Sequence, residues 1–253
     1  LIISIYMKIQ IISFVLLLFL IGFTNYNSSN QSQPQNIILM IGDGMGLGQI
    51  SAAMYANGGT LHMEKAKHIG LIKTNSASSI ITDSAAGATA FSTGEKTYNK
   101  SINMDMDSLP LLPITRYLHR EKIKTGIIAT SSVTHATPAC FYGNQINRYG
   151  SNEELAKQFT QSNINVLIGG GKDYFNNRSD KINLIDSLKN KKYLILESIY
   201  GSIPGNTEKL IHFCSPKAPP KYTEGRGDFL SLATEKAISV LNYNNRNGFF
   251  LMI

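Results

Sequence analysis

The sequence predicts an α/β fold, a three-layer sandwich with a mostly parallel central sheet and helices on both faces. Apolar runs of strand length alternate with longer mixed segments, the order of a sheet wound with helices. Those runs are continuously apolar rather than alternating, as strands covered on both faces are. The chain has 253 residues, enough to bury a sizeable core. The first run, Asn36-Ile37-Ile38-Leu39-Met40-Ile41, is stopped by Gly42, and a helix is expected at 48–56. A second strand is expected at 69–73, followed by a small-residue helix at 84–93 that opens behind Asp83 and Ser84, both capping residue types. Then come a helix at 111–122, a strand at 125–130, a helix at 153–160 and a strand at 165–168. Residues 181–191 are expected as a helix, 193–196 as a strand, 230–245 as a helix and 249–253 as a terminal strand. Between them, residues 202–226 contain Pro204, Pro216, Pro219 and Pro220 and predict a long irregular surface excursion. No internal repeat is present.

Composition narrows the function classes. Hydrophobic residues make up 43% and charged residues 16%, without long charged blocks, which excludes a mainly disordered chain. Two cysteines in a chain this long exclude a disulfide-stapled miniprotein. Lys+Arg 24 against Asp+Glu 17 gives a net charge of +7, but the basic residues are scattered with no aromatic stripe between them. Nucleic acid is therefore not expected as a ligand.

Met7-Lys8 precedes an apolar stretch, 9–23, of about 15 residues, the form of an export signal. A membrane anchor would need roughly 20 apolar residues and would enclose Lys8 and Gln10. Residues 1–24 are thus taken as upstream residues plus an export signal or anchor, with the true start at Met7. Residues 25–36, rich in Asn, Ser, Gln and Pro, form a polar linker. The protein is expected to be periplasmic or extracellular, touching membrane only through this N-terminal segment. Cys140 and Cys214 either form a disulfide, which export would permit, or remain separate thiols.

Chemistry is sought at the carboxyl ends of the strands, where open α/β sheets gather ligands. Gly42-Asp43-Gly44-Met45-Gly46 follows the first strand. It fails the dinucleotide spacing, because Leu47 and Gln49 stand where the third glycine would be, and no Gly-Lys-Ser/Thr follows. What remains is one carboxylate, Asp43, of the kind hard cations bind, or a capping Asp in a tight turn. Ser84, behind Asp83 at a helix start, has its hydroxyl in the field of free N–H groups, although a plain N-cap explains the same string. His135 and Thr137 are two apart, so in extended chain they face one side. Pro138 suits the first turn of a helix. Arg148, thirteen residues after His135, is either a surface residue or a bidentate phosphate clamp.

Taken together, Asp43, the run Thr82-Asp83-Ser84-Ala85-Ala86-Gly87-Ala88-Thr89-Ala90, the string His135-Ala136-Thr137-Pro138-Ala139 and Arg148 resemble the alkaline phosphatases in order and spacing. Gly169-Gly170-Gly171-Lys172 and Gly248-Phe249-Phe250-Leu251-Met252-Ile253 also resemble that family, so the similarity spans about residues 36–253. The resemblance implies hydrolysis of small phosphate monoesters through a phosphoserine on Ser84, at a site of two zinc ions and one magnesium. It implies that Asp43 bridges metals, that Ser84 contacts zinc, that His135 and Thr137 face the magnesium site, and that Arg148, oriented by Asp83, clamps phosphate. Some members carry Asp where His135 stands, which leaves the third metal open between magnesium, cobalt and zinc. A homodimer is a further expectation. Residues 37–253 would be the N-terminal part of such a domain, truncated at Ile253. The family's other zinc ligands would follow that residue, so the chain as given is expected to be inactive. The competing readings are a non-catalytic phosphate-binding or structural protein and another member of the superfamily. A sulfatase is disfavoured, because no Cys/Ser-x-Pro-x-Arg string surrounds Ser84.

Overall fold

The computed structural model describes residues 35–253. The expected export segment and most of the linker lie outside them. Strands β1 (Asn36–Leu39), β2 (Lys124–Ser132), β3 (Val166–Gly170), β4 (Leu194–Ile195), β5 (Leu210–Ser215) and β6 (Phe249–Met252) form one six-stranded sheet. Its order is β1-β6-β2-β3-β5-β4, and every pairing is parallel.

The helices are α1 (Leu47–Ala56), α2 (Ser84–Thr93), α3 (Ile114–Arg120), α4 (Ala136–Ala139), α5 (Asn152–Thr160), α6 (Asp173–Asn176), α7 (Leu184–Asn190) and α8 (Phe229–Asn242). Side chains alternate between the two sheet faces, as strand geometry requires. Ile127, Leu167, Ile211, Phe250 and Met252 join one core with residues of α2, α4, α5, α6 and α7. Their neighbours Ile128, Val166, Ile168, Leu210 and Leu251 pack with Phe229, Ala233, Ala237, Val240 and Leu241 of α8. Helices therefore cover both faces, which gives the three layers expected and explains why the strands are apolar throughout. The first core is dense in aromatics: the Tyr142 and Phe159 rings meet edge to face, with centroids 5.4 Å apart.

Two expectations fail. Residues 69–73 form no strand, and Ile69 and Leu71 are 92% and 99% exposed. An apolar run becomes a strand only beside a hydrogen-bonding neighbour, and among the described residues none pairs with this one. Conversely, β5 lies inside the supposed irregular excursion. Its prolines bracket residues 210–215 without entering them, so the ladder to β3 is intact. At the other edge of the sheet, Ile37 and Ile38 of β1 are about half exposed, and α1 buries no residue. Among the described residues, no helix is long and apolar enough to cross a membrane.

Cys140 and Cys214 are both free thiols, which corrects the disulfide alternative. Cys140 is fully buried, with its Sγ 3.5 Å from the Ala85 carbonyl and from Thr89 Oγ1. Burial pushes this thiol up to about 12, so it is a protonated packing group.

Candidate active site

Three chain segments bring the predicted residues together. The first is the turn after β1. Ile41 N–H donates to Ile253 O at 2.8 Å, which carries the ladder past the strand end and delivers the chain to Asp43. Gly44 then takes φ +67, a left-handed conformation that glycine adopts without Cβ strain. Gly46 N–H is met by the Gln49 side-chain oxygen at 3.0 Å as α1 begins.

The second is the start of α2. Asp83 is its N-cap, accepting the Ala86 N–H at 3.0 Å on Oδ1. Ser84 is the first helical residue and is half-buried. The alanines beneath it, Ala85, Ala86 and Ala88, are buried, which lets the helix pack closely over the 136–142 segment. A left-handed Gly94, φ +80, closes the helix.

The third is the segment after β2. Here the structure departs from the extended arrangement expected for His135 and Thr137. His135 caps α4, and Thr137 lies inside that turn, so the two side chains take different partners. Thr137 Oγ1 donates to Asp43 Oδ2 at 2.9 Å. Ser84 Oγ donates to Asp43 Oδ1 at 3.0 Å. One carboxylate thus gathers two hydroxyls from distant parts of the chain. His135 Nε2 instead lies 2.8 Å from Arg148 Nη2. A guanidinium only donates, so Nε2 accepts and the ring proton sits on Nδ1. Burial first, and then the Arg148 charge, hold this imidazole below its ordinary range, with Asp43 opposing them.

Arg148 Nη1 also reaches Asp83 Oδ2 at 3.3 Å. Burial alone would raise the Asp83 carboxyl. The Ala86 and Lys100 N–H groups together with Arg148 outweigh it and hold Asp83 below the usual carboxylate range. The arrangement is one exposed carboxylate with two hydroxyls, beside a guanidinium fixed by an acid and a neutral imidazole. It can place an oxyanion between a helix N-terminus and a fixed cation.

The family model for alkaline phosphatase matches residues 34–253. The chain belongs to the alkaline phosphatase family. Alkaline phosphatase 3 of Bacillus subtilis is 34% identical over 88% of this chain and 51% of its own length. The alkaline phosphatase of the Antarctic bacterium TAB5 superposes with a TM-score of 0.82 at 43% identity, over 87% of this chain and 65% of its own. A variant of that enzyme, with a histidine replaced by aspartate and Mg bound in the M3 site, gives a TM-score of 0.79 at 40% identity over 87% of this chain and 63% of its own. The chain spans about half the length of the curated alkaline phosphatases it matches.

Donor chemistry decides which metals these residues suit. The oxygens of Asp43, Thr137 and Ser84 converge and suit a hard cation. Among the described residues, no group of three or more His, Cys, Asp or Glu is placed to hold a metal. The soft-to-borderline set that zinc prefers is therefore not met by these residues. Of the other histidines, His212 is buried, its Nδ1 2.7 Å from the Leu196 carbonyl, and is structural.

Motif reasoning missed Asn103. Fully buried at φ +46, it accepts from Ser92 Oγ at 2.8 Å and donates to the Gly143 carbonyl at 3.0 Å. It ties α2 to the segment that carries His135 and Thr137. No local string marks it, since its partners are 11 and 40 residues away.

Proposed function

We propose that this chain carries the nucleophile and the phosphate clamp of a metal-dependent phosphomonoesterase acting on small phosphate esters. One observation carries the reading. The Ser84 hydroxyl stands at the N-terminus of α2, oriented by Asp43, while Asp83 beside it holds the Arg148 guanidinium.

Arg148 binds two nonbridging phosphate oxygens, and the free N–H groups of α2 add to the positive field where charge collects. With its proton directed at Asp43 Oδ1, Ser84 Oγ has its lone pairs free for phosphorus. Where the metal set is complete, the P–O(Ser84) bond would form as the ester P–O bond breaks, the alcohol would leave with the proton given up by Ser84, and water would then cleave the phosphoserine. Asp43 and Thr137, with Ser84, are the residues that would hold a magnesium-type cation. When bound, such a cation favours the deprotonated serine and offsets phosphate charge. His135, neutral and bonded to Arg148, positions the clamp. The family's zinc pair is not fitted by residues 35–253, and zinc uses three or four protein ligands. We therefore expect this 253-residue chain to bind phosphate without hydrolysing esters. Export through residues 9–23 and pairing of two copies complete the proposal.

The test uses the purified chain with added zinc and magnesium. Turnover of an aryl phosphate should stay at the buffer rate, and robust turnover abolished by Ser84→Ala would overturn the expected inactivity. Inorganic phosphate binding should weaken about tenfold or more in Arg148→Ala, the cost of a lost charge-assisted pair. Unchanged binding removes the clamp.

A further inference from the structure

We propose that Asn99, with the backbone of Lys100, is the positioning element that sets Ser84 and Arg148 relative to each other; this rests on the roles given to those two residues above. The segment leading to Ser84 is irregular and joins no sheet among the described residues, and the Asn99 side chain bonds its backbone on both sides of Thr82. Asn99 Oδ1 accepts the Asp83 N–H at 3.2 Å, and Asn99 Nδ2 donates to the Ile81 carbonyl at 3.0 Å. Its own N–H donates to Ser78 Oγ at 3.0 Å.

Lys100 continues the cradle with backbone groups alone. Its carbonyl accepts the Arg148 N–H at 2.8 Å, directly after Asn99 in the chain. Two residues on, Ile102 and Gln145 exchange a pair of bonds, each 2.8 Å, so the segment carrying Arg148 is laced to this run. The Arg148–Asp83 ion pair at 3.3 Å closes a circuit through Asp83, Asn99, Lys100 and Arg148. Lys100 sits at φ +76, a left-handed conformation that a residue with a Cβ adopts only where its surroundings hold it there.

The test compares Asn99→Ala with Asn245→Ala in the 253-residue chain. Asn245 is a remote control that makes the same kind of double contact, donating to the Leu241 and Gly248 carbonyls at 2.8 Å. Amide hydrogen exchange should rise about tenfold at Asp83 and Arg148 in Asn99→Ala, the effect of one or two hydrogen bonds, with Leu167 and Ile168 of β3 unchanged. Inorganic phosphate binding should weaken by a similar factor. Asn245→Ala should lower the thermal midpoint yet leave both readouts as they are. Unchanged exchange at Asp83 and Arg148 overturns the proposal, as does an equal loss of phosphate binding in both variants. If the unsubstituted chain binds no phosphate, the roles of Ser84 and Arg148 fall, while exchange still decides whether Asn99 holds the turn.

Discussion

Asp43 accepts hydroxyl protons from residues 41 and 94 positions away, and Arg148 bonds an acid and an imidazole at once. Each of these side chains is ordinary alone, and the proposed chemistry rests on their proximity. Cys140, which lies under α2, is the contrasting case. It is buried, protonated and bonded only weakly through sulfur, so it contributes volume rather than reactivity. Unfolding without reductant should therefore release two titratable thiols, whereas the native chain at pH 8 should leave Cys140 unreactive toward a thiol reagent. A thiol count of zero in denaturant would mean a disulfide after all.

At the scale of an element, α2 is the most informative. It is short and alanine-rich and contains Gly87, so its stability depends on both ends. Asp83→Ala removes the cap and should cost about 1 kcal/mol in denaturant unfolding. Gly94→Ala forces a Cβ into a left-handed cap and should cost about 1–2 kcal/mol. If either variant unfolds like the unsubstituted chain, the end in question is not limiting. The 84–93 helix was legible in the sequence because capping and small-residue composition are local signals. Residues 69–73 and β5 were misread for the opposite reason. An apolar run and a proline-flanked run look alike until pairing partners are known, and pairing is a long-range property.

At the scale of the whole molecule, buried titratable groups set the pH response. Burial holds the His212 imidazole below its ordinary range, so the folded chain keeps it neutral. Stability from this group is complete above the unfolded value of about 6.5 and falls as pH drops toward the folded value. His135 acts in the same direction. Asp180, bonded to the buried Arg178, is lowered to about 2, so its contribution disappears as pH falls from about 4 toward 2. Thermal midpoints should decline in two stages on acidification. The first should be shallower in His212→Asn, whose amide can still donate to Leu196, and the second shallower in Asp180→Asn. Identical profiles would remove the assignments. Exposed Ile37, Ile38, Met40 and Leu47 around β1 and α1 should also make the native chain bind a hydrophobic dye, and no binding at full helical content would contradict that exposure. Short strings of small, glycine and chemistry-bearing residues were enough to recognise the family and the α/β class and to name the residues proposed for the site, because strand ends, caps and tight turns are written locally. The partners of those residues were not. That Thr137 and Ser84 share Asp43, that His135 turns to Arg148, and that Asn99 and Asn103 brace the assembly all depend on segments tens of residues apart. Only the closing of the sheet brings them within hydrogen-bonding distance.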